Sequence, residues 1–310
     1  MYCHCWRRRN HRGMKPSPTA RTTDVRRRTE GALPLICPVC EQSLSWGDRA
    51  CVCPQGHSFD LSIEGYLNLL LSNLRRSKHP GDNADMVQAR RRFLDCGAFA
   101  QLSELIQSEV RQLLAGWEGD RRVNIADLGC GEGHFLGALQ EVVTGPFYGV
   151  DVSKEAIRVA ARRHRGPRWV VANVMRKIPF ACDSIDIILS VLAPRKVEEL
   201  ARVLEPNGSL LLVVPGPNHL LELRSLLMAD TGNLQTKADA AVELCAPRFA
   251  IRRKRSLTYE VLLNRDLLAD LVQMTPLFWR STREAKGDMG SLDELRVTMS
   301  FVLLAFTLIR

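Results

Sequence analysis

The stretch Val123-Asn124-Ile125-Ala126-Asp127-Leu128-Gly129-Cys130-Gly131-Glu132-Gly133 decides how the rest of the chain is read. An apolar run ends at an aspartate and three glycines follow at alternate positions. Phe135-Leu136-Gly137-Ala138-Leu139 then continues with helical periodicity. That order predicts a buried strand, a tight turn and a helix start. Glycine at such a turn lets the backbone bend sharply and approach a ligand with no Cβ in the way. Spacing excludes two phosphate-binding patterns. A P-loop needs Gly-Lys-Ser/Thr after its glycines, and a dinucleotide fingerprint needs G-x-G-x-x-G, whereas this turn reads G-x-G-x-G.

Working outward, Phe147-Tyr148-Gly149-Val150 ends in Asp151, and Val152-Ser153-Lys154-Glu155-Ala156 opens a helix. An acidic residue at the end of the second strand is placed to accept hydrogen bonds from ribose hydroxyls. The third strand, residues 169–172, runs into Asn173, whose amide suits an adenine edge. A fourth strand over 185–191 ends at Ala193-Pro194. A helix over 196–204, the turn Glu205-Pro206-Asn207-Gly208 and a fifth strand over 209–215 complete a doubly wound α/β run. The glycine turn resembles the first motif of the class I, Rossmann-like S-adenosylmethionine-dependent methyltransferases. That resemblance implies a cofactor site around Asp127, Gly129, Gly131, Glu132, Gly133, Asp151 and Asn173.

Composition bounds the remaining possibilities. The 310 residues carry a net charge of +9, but residues 1–34 hold nine basic and two acidic side chains, a net +7. Residues 35–310 therefore carry only +2, so total charge alone does not argue for a nucleic-acid partner. The first 34 residues, with Arg7-Arg8-Arg9, Arg26-Arg27-Arg28 and Cys3-His4-Cys5, lack apolar periodicity and read as a basic, disordered tail. The longest apolar run, 301–309, is too short to span a bilayer, so no membrane partner is expected. Ten cysteines without a secretory signal suggest a reducing compartment, the cytoplasm, where clustered cysteines more often bind metal than pair.

Cys37-Pro38-Val39-Cys40 is followed, after twelve residues, by Cys53-Pro54-Gln55-Gly56-His57. A Cys-x-x-Cys pair and a Cys-x-x-x-His pair supply four ligands for one tetrahedral zinc. Residues 44–52 are short enough for a hairpin that brings the two knuckles together. Cys51 is a competing ligand, but Cys51-x-Cys53 is a poorer knuckle and leaves His57 without a role. A closed four-ligand site has no open position for chemistry, so this zinc is read as structural. Basic residues then recur in Leu74-Arg75-Arg76-Ser77-Lys78-His79 and in Ala89-Arg90-Arg91-Arg92, a surface suited to phosphate contacts. Residues 102–114 form an amphipathic helix, 257–274 are helical in pattern, and 298–310 read as a closing strand.

Several of these motifs in one order resemble the bacterial large-subunit rRNA guanine-N1 methyltransferases, a family that includes macrolide-resistance members. They are Cys-Pro-x-Cys, Cys-Pro-Gln-x-His-x-Phe-Asp, Glu-Gly-Tyr-x-Asn-Leu-Leu, Pro-Gly-Asp, Gln-Ala-Arg-Arg-x-Phe-Leu-Asp, Asp-x-Gly-Cys-Gly-Glu-Gly, Asp-Val-Ser-Lys and Pro-Gly-Pro-x-His. The likeness runs from about Cys37 to Trp279. It implies 23S rRNA as partner, zinc at Cys37, Cys40, Cys53 and His57, and contacts from Gly131 and Glu132 to the methionyl part of the cofactor. It also places His219 and Phe99 near that cofactor, and 275–279 along the substrate pocket. Phe99 has no hydroxyl to hydrogen-bond there and packs equally well in a core; His219 could instead cap the helix that follows.

Methylation of guanine N1 requires its proton to leave, and Glu132 and His219 are the catalytic candidates. Ala193-Pro194-Arg195-Lys196 is not the Asn/Asp-Pro-Pro-aromatic motif that accompanies exocyclic amine targets. The expected organisation is a tail over 1–34, a zinc-binding RNA-recognition module over 35–80 and a methyltransferase domain over 81–310, with a homodimer left open. Competing readings are a small-molecule methyltransferase and an inactive zinc-containing RNA-binding protein.

Overall fold

The computed structural model describes residues 33–71, 81–117, 122–227, 237–275 and 292–309. The expectations for the basic tail, for the basic segment up to His79 and for Pro276-Leu277-Phe278-Trp279 lie outside the described residues.

Three short strands, β1 (Ser45–Trp46), β2 (Ala50–Val52) and β3 (Ser58–Asp60), form an antiparallel ribbon. The predicted 44–52 hairpin is its first half, with Trp46 opposite Cys51. Strand β4 (Leu67–Asn68) then leaves the ribbon and pairs in parallel with a strand of the large sheet. The chain thus joins that sheet before residue 80. Helices α1 (Ala84–Asp95) and α2 (Ala100–Ala115) follow, α1 capped by Asn83 Oδ1, which accepts from Met86 N–H at 3.0 Å.

Next come β5 (Ile125–Leu128), α3 (His134–Gln140), β6 (Phe147–Asp151), α4 (Lys154–Arg163), β7 (Arg168–Val171), β8 (Ile185–Val191), α5 (Val197–Val203), β9 (Leu204–Pro215), α6 (Leu221–Leu227) and α7 (Lys237–Cys245). The chain closes with β10 (Phe249–Asn264), α8 (Arg265–Gln273) and β11 (Glu294–Leu308). Helix α4 shows why its sequence forms it. Ser153 Oγ accepts from Ala156 N–H at 3.1 Å, Glu155 sits in the first turn, and Arg162 and Arg163 complement the dipole in the last.

The eight-stranded sheet has the order β10-β11-β9-β8-β5-β6-β7-β4. Its β4–β9 part is parallel, and β11 and β10 add antiparallel strands at one edge. Successive residues of β5 face opposite sides, as the pleat requires. Ile125 packs with α2, α3, α4 and α8, whereas Ala126 and Leu128 pack with α5, α7 and the zinc-ribbon residues Leu35, Leu44 and Cys51. The ribbon is therefore part of the second core. Leu35 bridges Phe180, and Ile36 N–H donates to Pro179 C=O at 3.0 Å.

Two predicted elements need correction. Residues 257–264 are strand, not helix: Leu257, Tyr259, Val261 and Leu263 alternate inward with period two, opposite β11. The helix starts only at Arg265, where Asn264 Oδ1 caps Leu267 N–H at 3.0 Å. The turn Glu205–Gly208 lies inside β9 as a bulge, between the pairs Ile185–Leu204 and Ile187–Ser209. Glycine is required at 208, where a Cβ would stand 2.8 Å from Asp186 C=O.

Candidate active site and metal centre

Within the parallel strands the order reverses between β5 and β8, and the loops leaving their C-terminal ends frame a crevice. Gly129 lets those loops meet: its φ is 87°, and a Cβ would fall 2.4 Å from Ala193 Cβ. The crevice opens into a cavity of about 870 Å³, a volume typical of small-ligand sites. Of the predicted residues, Phe99, Gly129, Gly131, Glu132, Asp151, Asn173 and His219 line it.

Asp127 and Gly133 are not among the lining residues. Gly133 is the N-cap of α3 at φ 86°, and a Cβ there would come 2.5 Å from the Trp169 ring, so its requirement is packing. Asp127 is 1% exposed, and among the described residues neither carboxylate oxygen has a hydrogen-bond partner. Burial, then the nearby Asp151 charge, push its carboxyl up to about 8.

Asp151 holds the glycine turn. Its Oδ2 accepts from Gly131 N–H at 2.9 Å and its Oδ1 from Ser153 N–H at 2.8 Å. Burial raises this carboxyl and the two N–H groups oppose the rise. Asn173 Oδ1 accepts from Met175 N–H at 2.9 Å. Glu132 is as buried as Asp127 and also lacks a hydrogen-bond partner; Arg163 Nη1 stands 3.7 Å away. Burial raises the Glu132 carboxyl, with Arg163 as the main opposing charge.

His219 follows β9 on a short turn. Its Nδ1 accepts from Ser300 N–H of β11 at 3.3 Å, so the side chain is tied to the sheet and is not a helix cap. Burial, with Arg224 nearby, lowers its pKa to about 4, and the neutral ring then carries its proton on Nε2. The ring lies 4.7 Å from that of Phe301, which in turn is 5.2 Å from Phe99. Phe99 is thus both core and cavity wall.

Sequence reasoning missed the contribution of α1 and α8. Arg90 lines the cavity, pairs with Asp82 at 2.5 Å, and donates to Met274 C=O at 3.3 Å. Arg92 binds Asp270 of α8 through two hydrogen bonds of 2.9 and 2.5 Å, and Arg91 pairs with Asp95. The three described arginines of the predicted phosphate surface, Arg90, Arg91 and Arg92, each make an ion pair within the fold. The signal for this, an acidic residue buried on α8, lies 178 residues away.

The metal centre is a separate cluster on the ribbon. Ligand atoms of Cys37, Cys40, Cys53 and His57 all lie within 4.8 Å of one another. Cys37 Sγ and Cys53 Sγ are 3.6 and 3.4 Å from His57 Nδ1, and Cys40 Sγ is 3.5 Å from Cys53 Sγ. Tetrahedral zinc with ordinary bond lengths separates its ligands by about 3.5–3.8 Å, so the donor set fits that ion. Gly56, at φ 81°, shapes the second knuckle. Cys51 stays outside the cluster, its thiol pushed up to about 11 by burial.

Family profiles match this layout in two places: "RlmA, N-terminal" over residues 35–78 and "Methyltransferase domain" over 126–212. The chain is 35% identical over 277 residues to "23S rRNA (guanine(748)-N(1))-methyltransferase" of Streptomyces fradiae, covering 87% of this chain and 95% of that protein. It belongs to the 23S rRNA (guanine-N1)-methyltransferase family. A second relative, "Putative 23S rRNA (guanine-N(1)-)-methyltransferase YxjB" of Bacillus subtilis (strain 168), is 31% identical over 86% of this chain and 95% of its own. This family member has the class I methyltransferase fold with an N-terminal zinc ribbon, uses S-adenosylmethionine and carries one structural zinc. The cavity fits the methyl donor on its own terms: a close-approach glycine loop, an acidic residue ending the second strand, and a buried carboxyl in its wall without a hydrogen-bond partner.

Proposed function

We propose that the chain transfers a methyl group from S-adenosylmethionine to N1 of a guanine in a hairpin loop of 23S rRNA, with Glu132 as base and His219 as hydrogen-bond donor. One observation carries the division of roles. Two buried groups of the same cavity wall are prepared in opposite senses, a carboxyl that faces Arg163 at 3.7 Å without a hydrogen bond and a histidine whose Nδ1 is already occupied.

S-adenosylmethionine, when bound, supplies an electrophilic methyl group on a sulfonium. The guanine N1 proton must be removed for that nitrogen to react. Glu132 takes it onto a carboxylate oxygen, and a raised carboxyl pKa suits a base working near neutrality. Loss of the proton places charge on guanine O6, where His219 Nε2–H donates. A preorganised donor in a dry site is worth about 10²–10³ in rate. Asp151 and Asn173 hold the nucleoside part of the donor. Gly129 and Gly131 keep the loop close to it, while Gly133, packed on Trp169, and the buried Asp127 support the loop from beneath. Phe99 excludes water. After β8, Leu192-Ala193-Pro194-Arg195 lacks the polar, double-proline stretch suited to an exocyclic amine.

Residues 35–80 form the module that positions rRNA, and 81–310 the catalytic domain. Cysteines clustered as a zinc site fit the reducing, cytoplasmic setting of this reading. The test incubates the zinc-loaded protein with S-adenosylmethionine and a large-subunit rRNA hairpin, followed by nuclease digestion and nucleoside mass spectrometry. 1-Methylguanosine is expected; a methyl group on another atom, or none, refutes the reading.

A further inference from the structure

A second groove, of about 410 Å³, lies against the cofactor cavity and shares Leu192, Ala193, Pro194, Pro215 and Lys237 with it. Its far wall is apolar, formed by α7 around Ala241 and Leu244, and Arg195 enters it from the loop after β8. Among the described residues no acidic side chain lines it.

Arg195 differs from the arginines that pair with carboxylates. Arg202 pairs with Glu199, Arg163 with Asp95 and Arg90 with Asp82. Arg195 has no carboxylate partner among the described residues. Its Nη2 donates to Ala193 C=O at 3.1 Å, and its buried Nε has no acceptor. Lys237 likewise has no ion pair among the described residues. A partly desolvated guanidinium without a counter-charge is costly unless a ligand supplies one. The boundary between the two cavities is itself strained. Leu192 adopts φ 52°, held by its N–H to Val213 C=O at 2.9 Å, and the residue is 38% exposed. Backbone of this kind concentrates at ligand clamps.

We infer that this groove binds a phosphodiester of the rRNA strand next to the target guanine, Arg195 and Lys237 holding the phosphate and the apolar α7 wall the adjoining ribose. An arginine fork matches phosphate oxygens, and backbone contacts fix register while the target base leaves the stack. The inference rests on the rRNA reading above and adds the subsite that aligns the strand.

The test measures binding of a fluorescent large-subunit rRNA hairpin to the full zinc-loaded chain across a salt series. Arg195→Gln should weaken binding about ten- to hundredfold and lower the log–log salt slope by about 0.7; Arg195→Lys should keep the slope. S-adenosylhomocysteine affinity, measured by calorimetry, should stay within about twofold of wild type. Wild-type RNA affinity and slope in Arg195→Gln would overturn the subsite. Joint loss of both ligands would also overturn it, because Arg195 would then be shaping the cavity. A wild-type chain that binds no hairpin would instead refute the rRNA reading itself.

Discussion

The metal centre and the glycine-loop cavity treat their polar groups in opposite ways. At the ribbon, four ligands drawn from residues 37–57 converge until every donor atom lies within 4.8 Å of the others. In the cavity, Glu132 is sealed in the wall with Arg163 3.7 Å away and no hydrogen-bond partner, and among the described residues Asp127 has no hydrogen-bond partner beneath the loop. The first arrangement is satisfied by one ion and stabilises the fold. The second leaves buried carboxyls without hydrogen bonds until a ligand arrives, which costs stability and gives reactivity. One molecule thus separates its structural site from its chemical one, and each can be attacked independently.

The largest expected effect is on the ribbon. Stripping zinc with a chelator should lower the melting midpoint by about 10 °C or more, since structural zinc contributes many kcal/mol and the ribbon shares a core with the sheet. Scanning calorimetry with and without chelator checks this, and an unmoved midpoint breaks the structural assignment. In the cavity, Glu132→Gln should slow single-turnover methylation at saturating S-adenosylmethionine about 10²–10⁴-fold. Because burial raises the Glu132 pKa, the wild-type rate should climb with pH through that raised value and the variant's should not.

A smaller effect sharpens the contrast through stability. A carboxyl whose folded pKa lies above its unfolded one stabilises the fold fully only below the unfolded value, about 3.9, and loses that stability as pH rises through the folded value. For Asp127 the loss runs up to about pH 8, so the cofactor-free protein should weaken by a few kcal/mol across that window. Asp127→Asn should flatten the profile in urea melts at successive pH values; an unchanged slope contradicts the burial argument. Gly133→Ala should cost about 2–3 kcal/mol, from collision with Trp169 at a positive φ, in the same denaturant assay. Smallest is Arg92→Ala, about 1 kcal/mol, because an exposed arginine loses its pairing with Asp270.

This contrast also explains what the sequence revealed. Zinc ligands are legible because tetrahedral chemistry imposes two knuckles at short, fixed spacing, and even the exclusion of Cys51 follows from it. The β5–loop–α3 unit and Asp151 were legible for a similar reason, as each depends on residues close in the chain. Where partners are distant, local pattern misleads. Residues 257–263 contain enough leucine to imitate a helix, and only pairing with β11 fixes period two. Arg90 and Arg92 look like solvent-facing charge until α8 supplies Asp270 and Met274 C=O. Nothing local indicates that Trp169 fills the space left by both Gly133 and Gly149. His219 was recognised, but its tautomer depends on Ser300, on a strand that closes the sheet 81 residues later.

The most direct test of the central claim is primer extension across large-subunit rRNA treated with the purified protein, with and without S-adenosylmethionine. Methylation at guanine N1 blocks the pairing edge, so the account predicts one new cofactor-dependent stop, at a guanine in a hairpin loop, that disappears with Glu132→Gln. Read-through with the wild-type protein despite intact cofactor binding, or an undiminished stop with the variant, would contradict it.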